Sequence, residues 1–213
     1  ASFKDEVILD LRATSYKQHM THLLNWKTDQ NLLKTIAIYG ANASGKSNLI
    51  SAMYLFEQYV FNQFISKSDD ENFYDVKNIK LEPFRLSETI NDVSEFEIIF
   101  TQNSKTIQYG FECTVNEVVN EWYFIDDKRV FERVGDTVQF GSKYNKYLKS
   151  YNKVINERLF LSVLEYFLDE ESKEIILNDF VEFFRMKYDV FLEFFFEASV
   201  KNVAGVIRLN TRL

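Results

Sequence analysis

The chain has 213 residues, 46% of them hydrophobic, enough for one large domain or two small ones with a real core. A formal net charge of −7 argues against a broadly basic, nucleic-acid-coating surface and leaves only a local patch for such contact. No run approaches the roughly 18 uncharged apolar residues of a membrane span, the start Ala1-Ser2-Phe3-Lys4-Asp5-Glu6 is not a signal peptide, and Cys113 is the one cysteine; a cytoplasmic protein without membrane or disulfide is expected.

Phe3, Val7, Leu9 and Leu11 share one face of a period-two pattern, which predicts an opening strand. A polar stretch follows with His19 and His22, a pair three apart that lacks the Cys or carboxylate companions of a metal site. Lys34 to Tyr39 predicts a second strand, and it leads straight into Gly40-Ala41-Asn42-Ala43-Ser44-Gly45-Lys46-Ser47.

That stretch fits the phosphate-binding pattern G-x-x-x-x-G-K-[ST] at every constrained position. The chemistry needs a loop whose successive backbone N–H groups converge on phosphate oxygens, and Gly40 and Gly45 permit the wrap. Lys46 reaches the terminal phosphates as a point charge and is the catalytic candidate; the Ser47 hydroxyl is the Mg²⁺ ligand, and the helix N-terminus adds its dipole. Gly40, Asn42, Ala43, Ser44, Gly45, Lys46, Ser47 and Asn48 are therefore the expected nucleotide contacts, with ATP and Mg²⁺ as cofactors; nothing in the loop separates ATP from GTP. After it, Leu49, Ile50, Met53, Tyr54, Phe56, Val60, Phe61 and Phe64 recur at helical spacing.

Ser66 to Asn72 is polar and acidic and reads as an exposed loop. From residue 94 the period changes to two: Phe96, Ile98 and Phe100, then Ile107, Tyr109, Phe111, Cys113 and Val115, predict antiparallel strands joined by Gln102-Asn103-Ser104-Lys105. Val118 to Ile125, Val130 to Arg133 and Thr137 to Phe140 continue the meander. Cys113 reads as a small core residue.

Beyond Gly141, Tyr144, Tyr147, Leu148 and Tyr151 lie on one helical face with Lys143, Lys146, Lys149 and Lys153 interleaved. The simpler reading is a core face flanked by solvated lysines; contact with single-stranded nucleic acid is the other. Glu157 to Leu168 and Ser172 to Glu197 predict two further helices, the second with an aromatic face suited to helix packing or dimerisation. The expected division is 1–93 as a phosphate-loop lobe, 94–142 as an antiparallel β subdomain of the same head, and 143–213 as a helical segment, in an α/β P-loop NTPase.

Hydrolysis also requires an acidic residue at the end of a neighbouring strand and a group that orients water. Trp122 to Asp127 ends on a hairpin turn, and Leu164 to Glu170 lies in a helical pattern and has Glu165 inside its apolar run, so neither suits a parallel core strand. The catalytic acid is expected outside this chain.

Taken in order, Ser2-Phe3-Lys4-Asp5-Glu6, Tyr39 to Leu49, Ser94 to Phe100, Ile107 to Phe111, Glu121-Trp122-Tyr123, Val130 to Arg133 and Leu159 to Leu164 resemble bacterial ATP-binding proteins with ABC-type or SMC-like heads that accompany abortive-infection and other anti-phage systems. The likeness spans roughly residues 2 to 165. It implies the N-terminal part of such a head, whose signature motif, Asp-Glu strand end and switch histidine belong to a C-terminal lobe. It also implies a homodimer or higher homo-oligomer that sandwiches ATP between Asn42 to Ser47 and the facing head, and an effector nuclease or toxin as partner. The family's Mg²⁺-sensing glutamine cannot be assigned among Gln58, Gln63, Gln102 and Gln108. Two other functions stay open: a nucleotide-gated scaffold without hydrolysis, and a small-molecule kinase, which needs an acceptor pocket and mobile arginines over the phosphates, whereas Arg129, Arg133 and Arg158 are scattered without such a pattern.

Overall fold

The computed structural model describes residues 6–14, 19–27, 30–42, 44–61, 93–114, 116–152, 154, 156–191 and 205–211. Its framework is a seven-stranded sheet with every neighbouring pair antiparallel. β4 (Ser94–Gln102), β5 (Lys105–Cys113), β6 (Val118–Ile125), β7 (Lys128–Val134) and β8 (Thr137–Phe140) form a plain meander with β8 at the sheet's edge. At its other side β9 (Gly205–Thr211) pairs with β4, and β1 (Val7–Asp10) pairs with β9. β2 (Leu23–Lys27) and β3 (Gln30–Leu33) form a separate two-stranded ribbon.

The alternation along β4 and β5 decides where the helices go. Phe96, Ile98, Phe100, Ile107, Tyr109, Phe111 and Cys113 are all buried on one face, which two helices cover. α1 (Lys46–Phe61) lays Phe56 against Phe111 and Phe96, with ring centroids 5.7 and 6.4 Å apart, while Tyr59 stacks on Phe111 at 5.1 Å. α5 (Asn178–Phe191) stacks Phe183 on Phe100 at 3.7 Å and sets Phe180 edge-on to Tyr109. Burying each such ring contributes about 2 to 3 kcal/mol from area alone, with a smaller increment for aromatic geometry. Between β8 and α5 run α2 (Asn145–Leu148), α3 (Phe160–Phe167) and α4 (Glu170–Ile176); Phe160 meets Phe131 edge-on, and the Tyr123 hydroxyl donates to the Ile176 carbonyl at 2.8 Å.

The meander follows the sequence expectation closely, and Asn103 and Ser104 take the positive φ values of a tight hairpin. Three expectations change. The strand expected over Lys34 to Tyr39 is absent: pairing ends at Leu33, and residues 35–40 carry no ladder. Ile36 and Ile38 are each 43% exposed and Tyr39 87%, so the segment has apolar strand composition without a neighbour among the described residues to pair it. The long second helix is divided at Leu177, with Asp169 capping α4 by accepting the Ser172 N–H at 2.9 Å. Finally, the segment read as helical to its end contains β9, whose register with β4 runs from Ser94↔Thr211 to Phe100↔Gly205. Phe3, Phe64 and Ser66 to Asn72 lie outside the described residues.

Candidate nucleotide-binding site

α1 is fixed to the sheet along its length by Leu49, Ala52, Phe56 and Val60, all buried, whereas Ile50 is exposed. Leu49 anchors the first turn, Ser47 within that turn is exposed, and the loop from Gly40 leads into the helix at Lys46. No acidic residue occupies that first turn, so the unpaired N–H groups and the positive end of the helix dipole have no local anion to satisfy them.

The loop geometry follows from its glycines. Gly45 sits at φ 92, a backbone region that residues with a Cβ avoid, and its carbonyl accepts the first helical hydrogen bond from Leu49 at 3.1 Å. A Cβ on Gly40 would lie 2.8 Å from Ser44 Oγ, so the opening glycine makes room for the returning strand of the loop. Ser44 N–H donates to the Ala41 carbonyl, closing a turn. Lys46 folds back over it: Nζ donates to the Gly40 and Ala41 carbonyls at 2.8 and 2.7 Å and lies 3.3 Å from Ser44 Oγ.

The motif thus brings Gly40, Asn42, Ser44, Gly45, Lys46, Ser47 and Asn48 into one loop-to-helix junction; Ala43 lies outside the described residues. Asn42, Ser44 and Ser47 are exposed, as groups that meet a ligand must be. These residues fit a nucleotide triphosphate: an ammonium group parked on replaceable carbonyls, a hydroxyl at the helix start, and a glycine where only glycine relaxes. When bound, Mg²⁺ would neutralise the phosphates, and the Ser47 hydroxyl would be the side chain to ligate it.

The other candidates are held elsewhere. Asp126 has positive φ in the β6–β7 turn and accepts the Thr106 N–H at 2.9 Å, while Asp169 caps α4. Arg133 is fully buried, donating to the carbonyls of Gly135, Arg158 and Val118, and Arg129 pairs with Glu132. Arg158 is buried as well, so none of the three is placed to close over phosphates in this structure, and the kinase alternative gains no support from them. Gln108 donates to Glu97 and Gln102 is a hairpin position; the Gln58 and Gln63 side chains are outside the described set. His19 and His22 touch edge-to-face at 5.9 Å, and no group of three metal-ligating side chains occurs among the described residues. Cys113 is buried in the core, where burial pushes its thiol pKa far up and leaves it unreactive.

Sequence reasoning missed one buried polar centre. Glu121 on β6 and Arg133 on β7 are cross-strand partners, both fully buried, 3.9 Å apart. Glu121 also accepts the Tyr109 hydroxyl at 3.0 Å and the backbone N–H groups of Phe160 and Leu161. A lone glutamate in a strand pattern carries no signal of this, since its partners are 12 to 40 residues away.

Residues 36–180 match the family described as "AAA domain, putative AbiEii toxin, Type IV TA system". No curated protein and no solved structure matches the chain. No helix among the described residues is long and apolar enough to cross a membrane.

Proposed function

The chain belongs to that AAA-domain family, the match covering more than half of it, and from this premise we propose that it binds Mg-ATP at Gly40 to Ser47 as the head of an ABC-type defence ATPase. A family of AAA-type P-loop ATPase domains in a toxin and abortive-infection setting supports nucleotide as the ligand of this loop. The observation that carries the reading is the Lys46 ammonium turned onto the Gly40 and Ala41 carbonyls beside a helix start without acidic residues. Phosphate oxygens are stronger acceptors than exposed carbonyls, so Lys46 exchanges partners on binding at little cost.

Within this reading the described residues supply phosphate and metal contacts, and the water-orienting acid comes from a C-terminal lobe and a facing head. Nucleotide between two heads then drives association, and the associated form gates an effector nuclease or toxin. The exposed apolar segment Ile36 to Tyr39 supports this, since a strand of that composition is stable only when paired. A nucleotide-gated scaffold without turnover is favoured by a second observation: Asp126 and Asp169 are both engaged in local turns and caps.

The test is Mg-ATP affinity of wild type against Lys46→Ala by titration calorimetry. A loss of tenfold or more is expected; equal affinity would sink the phosphate-site assignment. Turnover by this 213-residue chain alone, abolished in Lys46→Ala, would remove the scaffold reading.

A further inference from the structure

From Thr137 to Asn156 the chain carries four lysines and no aspartate or glutamate, within a protein whose net charge is −7. Three of these lysines, Lys143, Lys146 and Lys149, are exposed, and the structure shows how they come to share a surface. Hydrogen bonds from Tyr144 N–H to the Gly141 carbonyl, through Leu148 N–H to Tyr144, to Tyr151 N–H on Leu148 wind residues 141 to 151 into successive helical turns. Tyr144 and Leu148 are 1% and 0% exposed, so the inward side is committed to the core and the lysines at three-residue intervals are left on the outward side. Each interval rises about 4.5 Å along a helix. The segment is seated firmly: Gly141 N–H donates to the Val130 carbonyl, and a Cβ there would come within 1.8 Å of the Arg129 carbonyl oxygen, so only glycine allows this approach.

We propose that Lys143, Lys146 and Lys149 form a contact surface for the phosphate backbone of nucleic acid, read without regard to base sequence. None of the three pairs with a carboxylate among the described residues. Lys143 and Lys146 instead hold their ammonium groups over the rings of Tyr144 and Tyr147, 4.9 and 4.4 Å from the centroids, which orders the cations without neutralising them. The rings are thereby covered or buried and offer no stacking platform, so bases are not read; phosphates are the chemistry that remains. A membrane surface fits less well, because no large apolar side chain is exposed between Gly141 and Tyr151 to enter the lipid. An acidic protein fits less well too, since the patch has no central apolar anchor.

The experiment is fluorescence anisotropy of the full chain with a labelled DNA duplex at low salt, repeated for Lys143→Ala/Lys146→Ala/Lys149→Ala and for Lys46→Ala. Wild type and Lys46→Ala should bind equally. The triple variant should lose tenfold or more, with the slope of log affinity against log salt reduced by about two to three if each lysine neutralises one phosphate. Its melting temperature and Mg-ATP affinity should be unchanged, and the triple Lys→Arg variant should restore binding. Absence of duplex binding by wild type, or equal affinity in the triple alanine variant, overturns the proposal. So does loss of binding in Lys46→Ala with retention in the triple variant, which places the phosphates in the loop, and so does a preference of these lysines for phosphatidylserine vesicles or polyglutamate over the duplex. Failure of the Mg-ATP test leaves the expected results here unaltered, so the two readings fail separately.

Discussion

The Glu121 carboxylate accepts the backbone N–H of Leu161 at 2.9 Å, so a residue in the middle of β6 caps the start of α3 from outside the helix. The cap position itself is Leu159, which has no side-chain oxygen to do so. Because the same carboxylate faces Arg133 and the Tyr109 hydroxyl, Glu121→Ala removes four interactions and strands a buried guanidinium. A loss of about 3 to 5 kcal/mol in unfolding free energy is expected from breaking such a buried pair, read by urea denaturation.

The same carboxylate predicts a pH dependence. Burial pushes the Glu121 pKa up to about 7 from 4.5, against the opposing pull of the Leu161 and Phe160 N–H groups, Arg133 and Tyr109. A folded value above the unfolded one means that the native state binds the extra proton. The contribution is therefore fully present below about pH 4.5 and is lost as pH rises through about 7, a change of about 3 kcal/mol between the limits. Glu121→Gln should flatten this part of the stability profile; an unchanged profile in the variant refutes the assignment to Glu121.

Phe56 ties the nucleotide-loop helix to both the sheet and α5, meeting Phe96, Tyr109, Phe111 and Phe184 with centroids between 5.7 and 6.4 Å. Phe56→Ala should cost about 3 to 5 kcal/mol by leaving a cavity under α1. Phe56→Leu should cost less than half as much. Comparable losses in the two variants would show that ring volume is not what seats the helix.

How much of this was legible beforehand divides along physical lines. Phe96, Tyr109 and Phe111 revealed the sheet because period-two burial is a local pattern, and Gly40 to Ser47 marked the candidate site because phosphate geometry constrains consecutive residues. The unpaired state of Ile36 to Tyr39 was hidden, since strand composition does not say whether a partner is present. β9 was hidden because its pairing with β4 spans more than a hundred residues. The burial of Arg133 was hidden as well, because the carboxylate it faces, Glu121, lies on the neighbouring strand.

Gly110 offers a test on the sheet's other face. A Cβ there would lie 2.4 Å from the Trp122 ring and 2.7 Å from the Phe96 carbonyl oxygen, with Trp122 held across the strand by its N–H donated to Glu97 at 2.9 Å. Gly110→Ala should destabilise by about 2 to 3 kcal/mol through overpacking. Adding Trp122→Phe should recover only part of this, because the backbone contact with Phe96 persists; full recovery would place the whole conflict on the indole.

The loop itself separates affinity from stability. Lys46 binds exposed carbonyls, and Ser47 is exposed at the helix start, so substituting either removes no buried contact. Lys46→Ala and Ser47→Ala should each alter unfolding free energy by less than about 0.5 kcal/mol. They should differ in ligand dependence: Lys46→Ala weakens ATP with or without Mg²⁺, whereas Ser47→Ala removes the advantage that Mg²⁺ gives and leaves metal-free affinity intact. Gly45→Ala differs from both, because φ 92 strains any residue with a Cβ by about 1 to 3 kcal/mol. That variant should lose stability as well as affinity, measured by thermal melts beside calorimetry. If Gly45→Ala were as stable as wild type while still losing ATP, the strain would lie in the bound loop and not in the free one.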